Sequence, residues 1–313
     1  MSPATVAQSV LDAAGPQAAA IAWLWWVIFA ITTGVFIAVV VVLAVAVRRR
    51  SDRASSEVMM TRWVVAASVG TVAILGVWLF ASVSVGRATA APRTADAVTI
   101  NVTGRQWWWQ LEYSDTLPSN RFRTANEVLI PVGRPVVLNV TSRDVIHSFW
   151  VPNLHGKRDL IPGYVTSLWF QADREGVYRG QCAEFCGYQH ANMGLYVRAV
   201  PESDYQAWLT AQRKPASDPG TEQQQHGRDI FLRATCPQCH TIRGTLAGGA
   251  FGPDLTHVGS RQRIAAGVLP NTTENLQRWI RDPHQFKPGN KMPAHDLNDN
   301  DLRAVAEFLR SLE

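Results

Sequence analysis

The chain has 313 residues, a hydrophobic fraction of 47% and four cysteines, with a mean hydropathy of −0.05. That is room for about two ordinary domains; it excludes a collagen, a long disordered chain and a small disulfide scaffold, but not a membrane protein, because an average near zero can hide apolar spans in a polar remainder. The net charge of +5 is concentrated in Arg48, Arg49, Arg50, Arg53 and Arg62, whereas residues 92–220 and 221–313 carry a surplus of only one each, so no folded face is basic enough for a nucleic-acid reader.

Ile21 to Val47 and Trp63 to Val85 carry no charged residue. At roughly 1.5 Å per helical residue, each can cross a hydrocarbon layer of roughly 30 Å. Trp23, Trp25, Trp26 and Trp63 suit an interfacial aromatic belt. A cleaved signal peptide would need a basic start and a shorter apolar core. The first 20 residues hold no Lys or Arg, so an uncleaved span is expected. The Arg-rich loop between the spans is expected on the cytoplasmic side, which puts the N-terminus and everything after Val85 outside. The spans contain no His, acid or base. They are expected to anchor the chain, not to ligate a cofactor or relay protons.

Residues 92–213 read as short strands, among them VTINVTG, WWWQLEY, EVLIPV, PVVLNVTS, SLWFQA and LYVRAV, punctuated by Pro and Gly. This predicts an all-β sandwich or barrel. A helix is expected to open on a capping box at Ser203-x-x-Gln206. The polar stretch KPASDPGTE then marks a linker, placed at 214–220.

Within the β-region, Cys182-x3-Cys186-x3-His190-x2-Met193 lies downstream of Asp144-Val-Ile-His147. Two thiols, two imidazoles and one thioether form a soft set that favours copper. One copper would leave a cysteine surplus, whereas two coppers bridged by both thiolates use the whole set, with a backbone carbonyl completing it. A local disulfide between Cys182 and Cys186 and a zinc site are the alternatives.

The segment DVIHSFWVPNLHGKRDLIPGYVTSLWF…GVYRGQCAEFCGYQHANM resembles the copper-A domain of cytochrome c oxidase subunit II, and the two-helix anchor fits that family too. The resemblance implies a cupredoxin β-sandwich holding dinuclear copper A. It implies His147, Cys182, Cys186, His190 and Met193 as side-chain ligands. Glu184 would give its carbonyl to copper and turn its carboxylate toward a Mg²⁺ at the contact with subunit I. Trp107, first of the run Trp107-Trp108-Trp109, is implied as the electron entry port, with Trp108 and Trp109 as packing. Met60 stands where many relatives carry a Glu near a proton-uptake path, with Glu57 one turn earlier, so no proton-entry role is expected. Arg143 stands where many carry an acid beside Asp144, which hints at a changed donor.

Residues 221–313 open with Cys236-Pro-Gln-Cys239-His240, a c-type haem attachment signature. Two thiols two residues apart reach both vinyl groups of one haem, and His240 follows as the axial ligand. A thioredoxin-like CxxC would need a βαβ surround, and zinc a second Cys pair. Of the five methionines, only Met292 in FKPGNKMPA is free to be the sixth ligand, with His257, His284 and His295 as rivals. Gly227-x-x-x-Phe231, Gly252-Pro253-Asp254-Leu255 and a terminal amphipathic helix from Asn298 to Leu312 resemble a class I cytochrome c. That resemblance implies that the Pro253 carbonyl orients His240.

The sequence therefore describes a membrane-anchored multidomain chain. Residues 1–91 hold the N-terminal segment and a two-helix transmembrane hairpin, 92–213 a cupredoxin-like β-sandwich, and 221–313 an all-α class I cytochrome c domain. The resemblances imply the electron-entry subunit of a haem–copper oxidase in a bacterial plasma membrane. It would pass electrons from one covalent haem c through copper A to subunit I, where oxygen is reduced with proton pumping. Subunit I and subunit III, the lipid bilayer, and a cytochrome c or quinol-oxidising donor are the implied partners; nucleic acid is not. Alternatives are the entry subunit of a copper-A nitric oxide reductase and a stand-alone anchored electron carrier. Tethering the donor would replace a bimolecular encounter with an effective concentration of order mM, reducing the need for an acidic docking face.

Overall fold

The computed structural model describes residues 6–48, 56–90 and 96–313. The expected cytoplasmic arginines Arg49, Arg50 and Arg53 lie outside the described residues.

One unit, Gln17–Ala90, holds the two long helices. Helix α1 runs over Pro16–Arg48 and α2 over Glu57–Ala88, and both are long and apolar enough to cross a membrane. They begin five and six residues before the uncharged windows and end one and three residues after them. Phe36 and Phe80 are among their many exposed apolar side chains. A helix satisfies its own backbone hydrogen bonds, as hydrocarbon demands, even in a run as β-branched as VFIAVVVVLAVAV.

The other unit comprises the N-terminal segment to Pro16 and residues 91–313. Strand β1, Val6–Ala7, precedes α1 and pairs in parallel with the later strand β10. The segment before α1 is thus stitched to the β-domain: Ala14 N–H donates to Asn153 O, and Asn153 Nδ2 donates to Asp12 O.

The β-domain follows as β2 (Val98–Arg105), β3 (Trp108–Tyr113), β4 (Phe122–Ala125), β5 (Glu127–Pro131), β6 (Val136–Ser142), β7 (His147–Trp150), β8 (Arg158–Leu160), β9 (Thr166–Phe170), β10 (Gly176–Cys182) and β11 (Gly194–Val200). One sheet has the order β4-β3-β2-β6-β9; the other runs β5-β11-β10-β7-β8, with β1 beside β10. Burial alternates strictly along β2 and β6, the period of a strand with one face on a core. Ile100, Val102, Leu111, Leu138, Val140, Phe149 and Leu195 fill the space between the sheets.

Helix α3, Glu202–Arg213, closes the sandwich. It does not use the expected capping box. Pro201 is the N-cap, so Ser203 already lies inside the helix and bonds to Asp204, while Gln206 Nε2 reaches back to the Glu202 carboxylate.

The C-terminal domain packs α4 (Glu222–Arg233), the single turn α5 (Cys236–Cys239), α6 (Thr273–Arg281) and α7 (Asp299–Ser311). Thr221, Thr272 and Asn298 cap α4, α6 and α7 through side-chain oxygens, as such residues do. Helices α4 and α7 cross at Gly227, where an added Cβ would stand 2.0 Å from Ala304 O. Only glycine allows that approach. The segment between α3 and α4 is held to this domain, with Ala216 N–H donating to Arg243 O.

The two folded domains meet along a hydrogen-bonded seam. Glu127 at the start of β5 accepts from the backbone N–H of both Gln262 and Arg263, at 2.9 Å each. Gly194 N–H donates to Ala266 O at 3.1 Å, and Gln189 Nε2 to Pro288 O at 2.9 Å.

Candidate functional site

Strand pairing assembles the first cluster. Cys182 ends β10 and lies opposite Phe149 of β7, so His147, at the start of β7, stands beside it. The loop from β10 to β11 supplies Glu184, Cys186, His190 and Met193. Cys182 Sγ lies 3.8 Å from Cys186 Sγ and 3.9 Å from His147 Nδ1. Cys186 Sγ lies 3.6 Å from His190 Nδ1 and 3.9 Å from Met193 Sδ. The Glu184 carbonyl sits 3.2 Å from Cys182 Sγ, and its side chain is exposed. Both cysteines are free and buried, as are His147 and Met193. A disulfide needs sulfurs near 2.05 Å, so this pair is not bonded.

The protons are placed for metal binding. His147 Nε2 bonds to the Asp144 carboxylate at 2.8 Å, so the proton sits on Nε2 and the Nδ1 lone pair faces the sulfurs, the arrangement of an oriented metal-ligating histidine. Burial alone would raise Asp144; the donors His147, Gln106 N–H and Val145 N–H hold it below the usual carboxylate range. The thiols share a proton. Hydrogen bonding from Cys186 draws Cys182 down to about 3 against its own burial, while the same contact pushes Cys186 well above the thiol range. The cluster thus holds one thiolate ready. Its soft, closely spaced donor set fits copper.

The second cluster lines a cavity of about 430 Å³. Cys236, Cys239, His240 and Met292 border it together with apolar Phe231 and Leu276. His240 Nδ1 donates to Pro253 O at 2.8 Å, which leaves Nε2 as the free ligating atom. Burial lowers the His240 pKa and keeps the ring neutral. A neutral imidazole, two free thiols and an apolar wall fit a covalently held haem. Gly252 presses on that ring, since a Cβ there would lie 2.5 Å from His240 Cε1. Of the rivals to Met292, His257 is bonded at both nitrogens, to Glu313 O and Lys214 O. His284 is exposed and away from the cavity wall, while His295 borders the cavity with Met292.

Trp107 joins the two clusters. It borders the same cavity, is buried, and its indole Nε1 donates to Cys186 O at 2.8 Å. Gln106 Nε2 donates to that same carbonyl at 2.8 Å. Trp109 is fully buried against Phe149, edge to face, and Trp108 lies under Arg105. From the other domain, the buried Lys287 donates from Nζ to Trp107 O at 2.7 Å. Lys287 lies in the FKPGNKMPA stretch and Gln106 directly before Trp107, but sequence reasoning assigned neither a role, because their partners are backbone carbonyls distant in the chain.

A model of the periplasmic domain of cytochrome C oxidase subunit II matches residues 118–200, and a cytochrome c model matches residues 224–313. The β-domain is thus similar to the periplasmic domain of cytochrome c oxidase subunit II, and the C-terminal domain to cytochrome c. Cytochrome c oxidase subunit 2 of Alkalihalophilus pseudofirmus is 41% identical over 224 residues, and that of a Bacillus species is 34% identical over 236 residues. Each alignment covers 71% of this chain and 64% of the relative, so the chain spans less than two-thirds of their length. The crystal structure of the periplasmic domain of subunit II of cytochrome oxidase of Bradyrhizobium japonicum is 33% identical, covering 39% of this chain and 96% of that one, with a TM-score of 0.35. The sandwich is the cupredoxin-like domain and the helical domain is the cytochrome c domain. The two families imply binding of copper A and haem c.

Proposed function

We propose that this chain is the electron-entry subunit of a haem–copper terminal oxidase. When bound, the two groups supply one-electron relay, from a covalent haem c to dinuclear copper A and on to subunit I, where oxygen is reduced to water with proton pumping. The observation that carries the reading is the shared cavity: Cys236, Cys239, His240 and Met292 border one part of it and Trp107 another, and Trp107 hydrogen-bonds to the cysteine that faces His190 and Met193.

In this reading His147, Cys182, Cys186, His190 and Met193, with the Glu184 carbonyl, hold copper. Asp144 keeps the His147 proton on Nε2. Cys236 and Cys239 bond the haem, His240 and Met292 are its axial pair, and Pro253 sets the plane of His240. Trp107, buried between the clusters, excludes water from the space separating them and is the entry port to the copper side. The exposed Glu184 carboxylate is the residue for a Mg²⁺ at the subunit I contact. The domain limits are 1–91, 92–213 and 221–313, joined by 214–220. The helix pair anchors the chain in a bacterial plasma membrane with both folded domains outside, beside subunits I and III. The donor is a cytochrome c or a quinol-oxidising complex.

The test is purification of the membrane complex through this chain. The expected result is a partner rich in His-bearing spans, a reduced c-type band, a near-infrared copper band and oxygen uptake. A complex that reduces nitric oxide but not oxygen would overturn the reading.

A further inference from the structure

The cytochrome domain is joined to the β-domain by more than its linker. A turn at residues 265–267 points straight into the seam. Ala265 and Ala266 both hold positive φ, 55° and 57°, a region that residues with a Cβ rarely occupy. Such strained backbone persists where surrounding contacts hold it. Here the contacts are identifiable. Ala266 O accepts from Gly194 N–H, the residue that follows Met193. Gly267 packs so closely on the Tyr196 ring that a Cβ would come within 2.7 Å of it. Arg263 lies over the same ring.

Lys287 completes this arrangement from the Met292 loop. Its side chain is buried, yet both of its hydrogen-bond partners are backbone carbonyls, Trp107 O at 2.7 Å and Ala265 O at 3.4 Å. One carbonyl belongs to the β-domain and the other to the strained turn. Across the seam Glu127 does the mirror task, a β-domain carboxylate satisfied by two backbone N–H groups of the cytochrome domain. A buried charge is expensive unless its bonds are made, so in the docked state, where water is excluded, each of these side chains depends on a bond made across the seam.

We propose that Lys287 is a positioning residue: it pins the Met292 loop and the 265–267 turn onto Trp107, so that the cytochrome domain works as a docked component of the subunit and not as a carrier swinging on its linker. The relay role of the two clusters is taken from the proposed function. The docking itself is independent of it.

The experiment uses the full chain in its oxidase complex and compares wild type with Lys287→Met, which keeps the side chain's length and apolar body. Hydrogen exchange is read at the amides of Gly194, Gln262 and Arg263, whose acceptors lie across the seam. They should be slow in wild type and about tenfold or more faster in Lys287→Met. Haem and copper absorption should be unchanged. The haem-to-copper rate after flash reduction should fall by about tenfold or more, because small misplacements are costly, and should become dependent on solvent viscosity. Glu127→Ala, at the far side of the seam, should act in the same direction. Unprotected amides in wild type, or amides that stay protected in both variants, would overturn the proposal. Absence of haem or copper bands in wild type would instead count against the proposed function, because the exchange result does not depend on them.

Discussion

The indole N–H of Trp107 and the carbonyl of Cys186 are 2.8 Å apart, so the aromatic residue at the domain seam is bonded to the backbone of the cysteine whose sulfur faces both His190 and Met193. The bond holds a large side chain at one depth between two clusters on different domains, and Lys287 holds the backbone of the same residue from the opposite domain.

Trp107→Phe keeps most of the packing and removes the N–H. Gln106 still donates to the Cys186 carbonyl, so the loop should survive. Loss of one hydrogen bond should cost about 0.5–1.5 kcal/mol. The haem-to-copper rate should fall about tenfold with little change in the haem spectrum. Flash photolysis checks this; an unaltered rate would remove Trp107 from the entry route.

The two clusters share no side-chain ligand, so they should fail independently. Cys182→Ser should abolish the near-infrared copper band and leave the haem bands. Cys236→Ser should weaken haem attachment and leave the copper band. Optical spectra of the two purified variants decide it, and joint loss in either one would contradict two separate centres.

Met292 and His295 both border the cavity beside His240. Met292→Ala should turn the haem from low to high spin and lower its potential, because a Met/His pair raises it. His295→Ala should leave the spin state as it was. A low-spin haem with its original potential in Met292→Ala would transfer the axial role to His295.

Gly227→Ala should destabilise the cytochrome domain by about 1–3 kcal/mol, the usual cost of forcing atoms into a filled contact. The obstacle is the Ala304 backbone, which cannot swing aside as a side chain can. Thermal unfolding followed at the haem band should show a lower midpoint. An unchanged midpoint would mean that α4 and α7 do not cross so closely.

Burial draws Lys287 from 10.5 down to about 7, with Cys186 working weakly against it. A lysine whose docked pKa lies below its free value binds fewer protons docked than free. Docking is therefore weakest below about pH 7, and it strengthens as pH rises from there toward 10.5. Between pH 7 and 9 the thermal midpoint of wild type should gain on that of Lys287→Met. A difference that is flat across this range would show that the amine is not desolvated at the seam.

The helices, most strands and both ligand spacings were legible because they are local: an uncharged run, an alternating run, or residues a few positions apart. The pairing of His147 with Cys182 was partly legible, since both are soft ligands, but their proximity comes from β7 lying beside β10. The helix start at Glu202 was misread because Ser203-x-x-Gln206 satisfies the capping pattern, while Pro201, with no N–H to give, begins the helix earlier. His257 passed for a haem rival because composition cannot show that both its nitrogens are already bonded to distant carbonyls.

By itself the sequence determined that this chain has two apolar spans, a sulfur-rich loop in a β-domain and a haem-attachment motif in a helical one, since each of these is written within a short stretch. Only the tertiary structure decided that the last two are docked through Trp107, Lys287 and Glu127. Lys287 lies far from the other two in the chain, and each of the three makes its bonds to backbone groups, which every residue carries and no sequence pattern records.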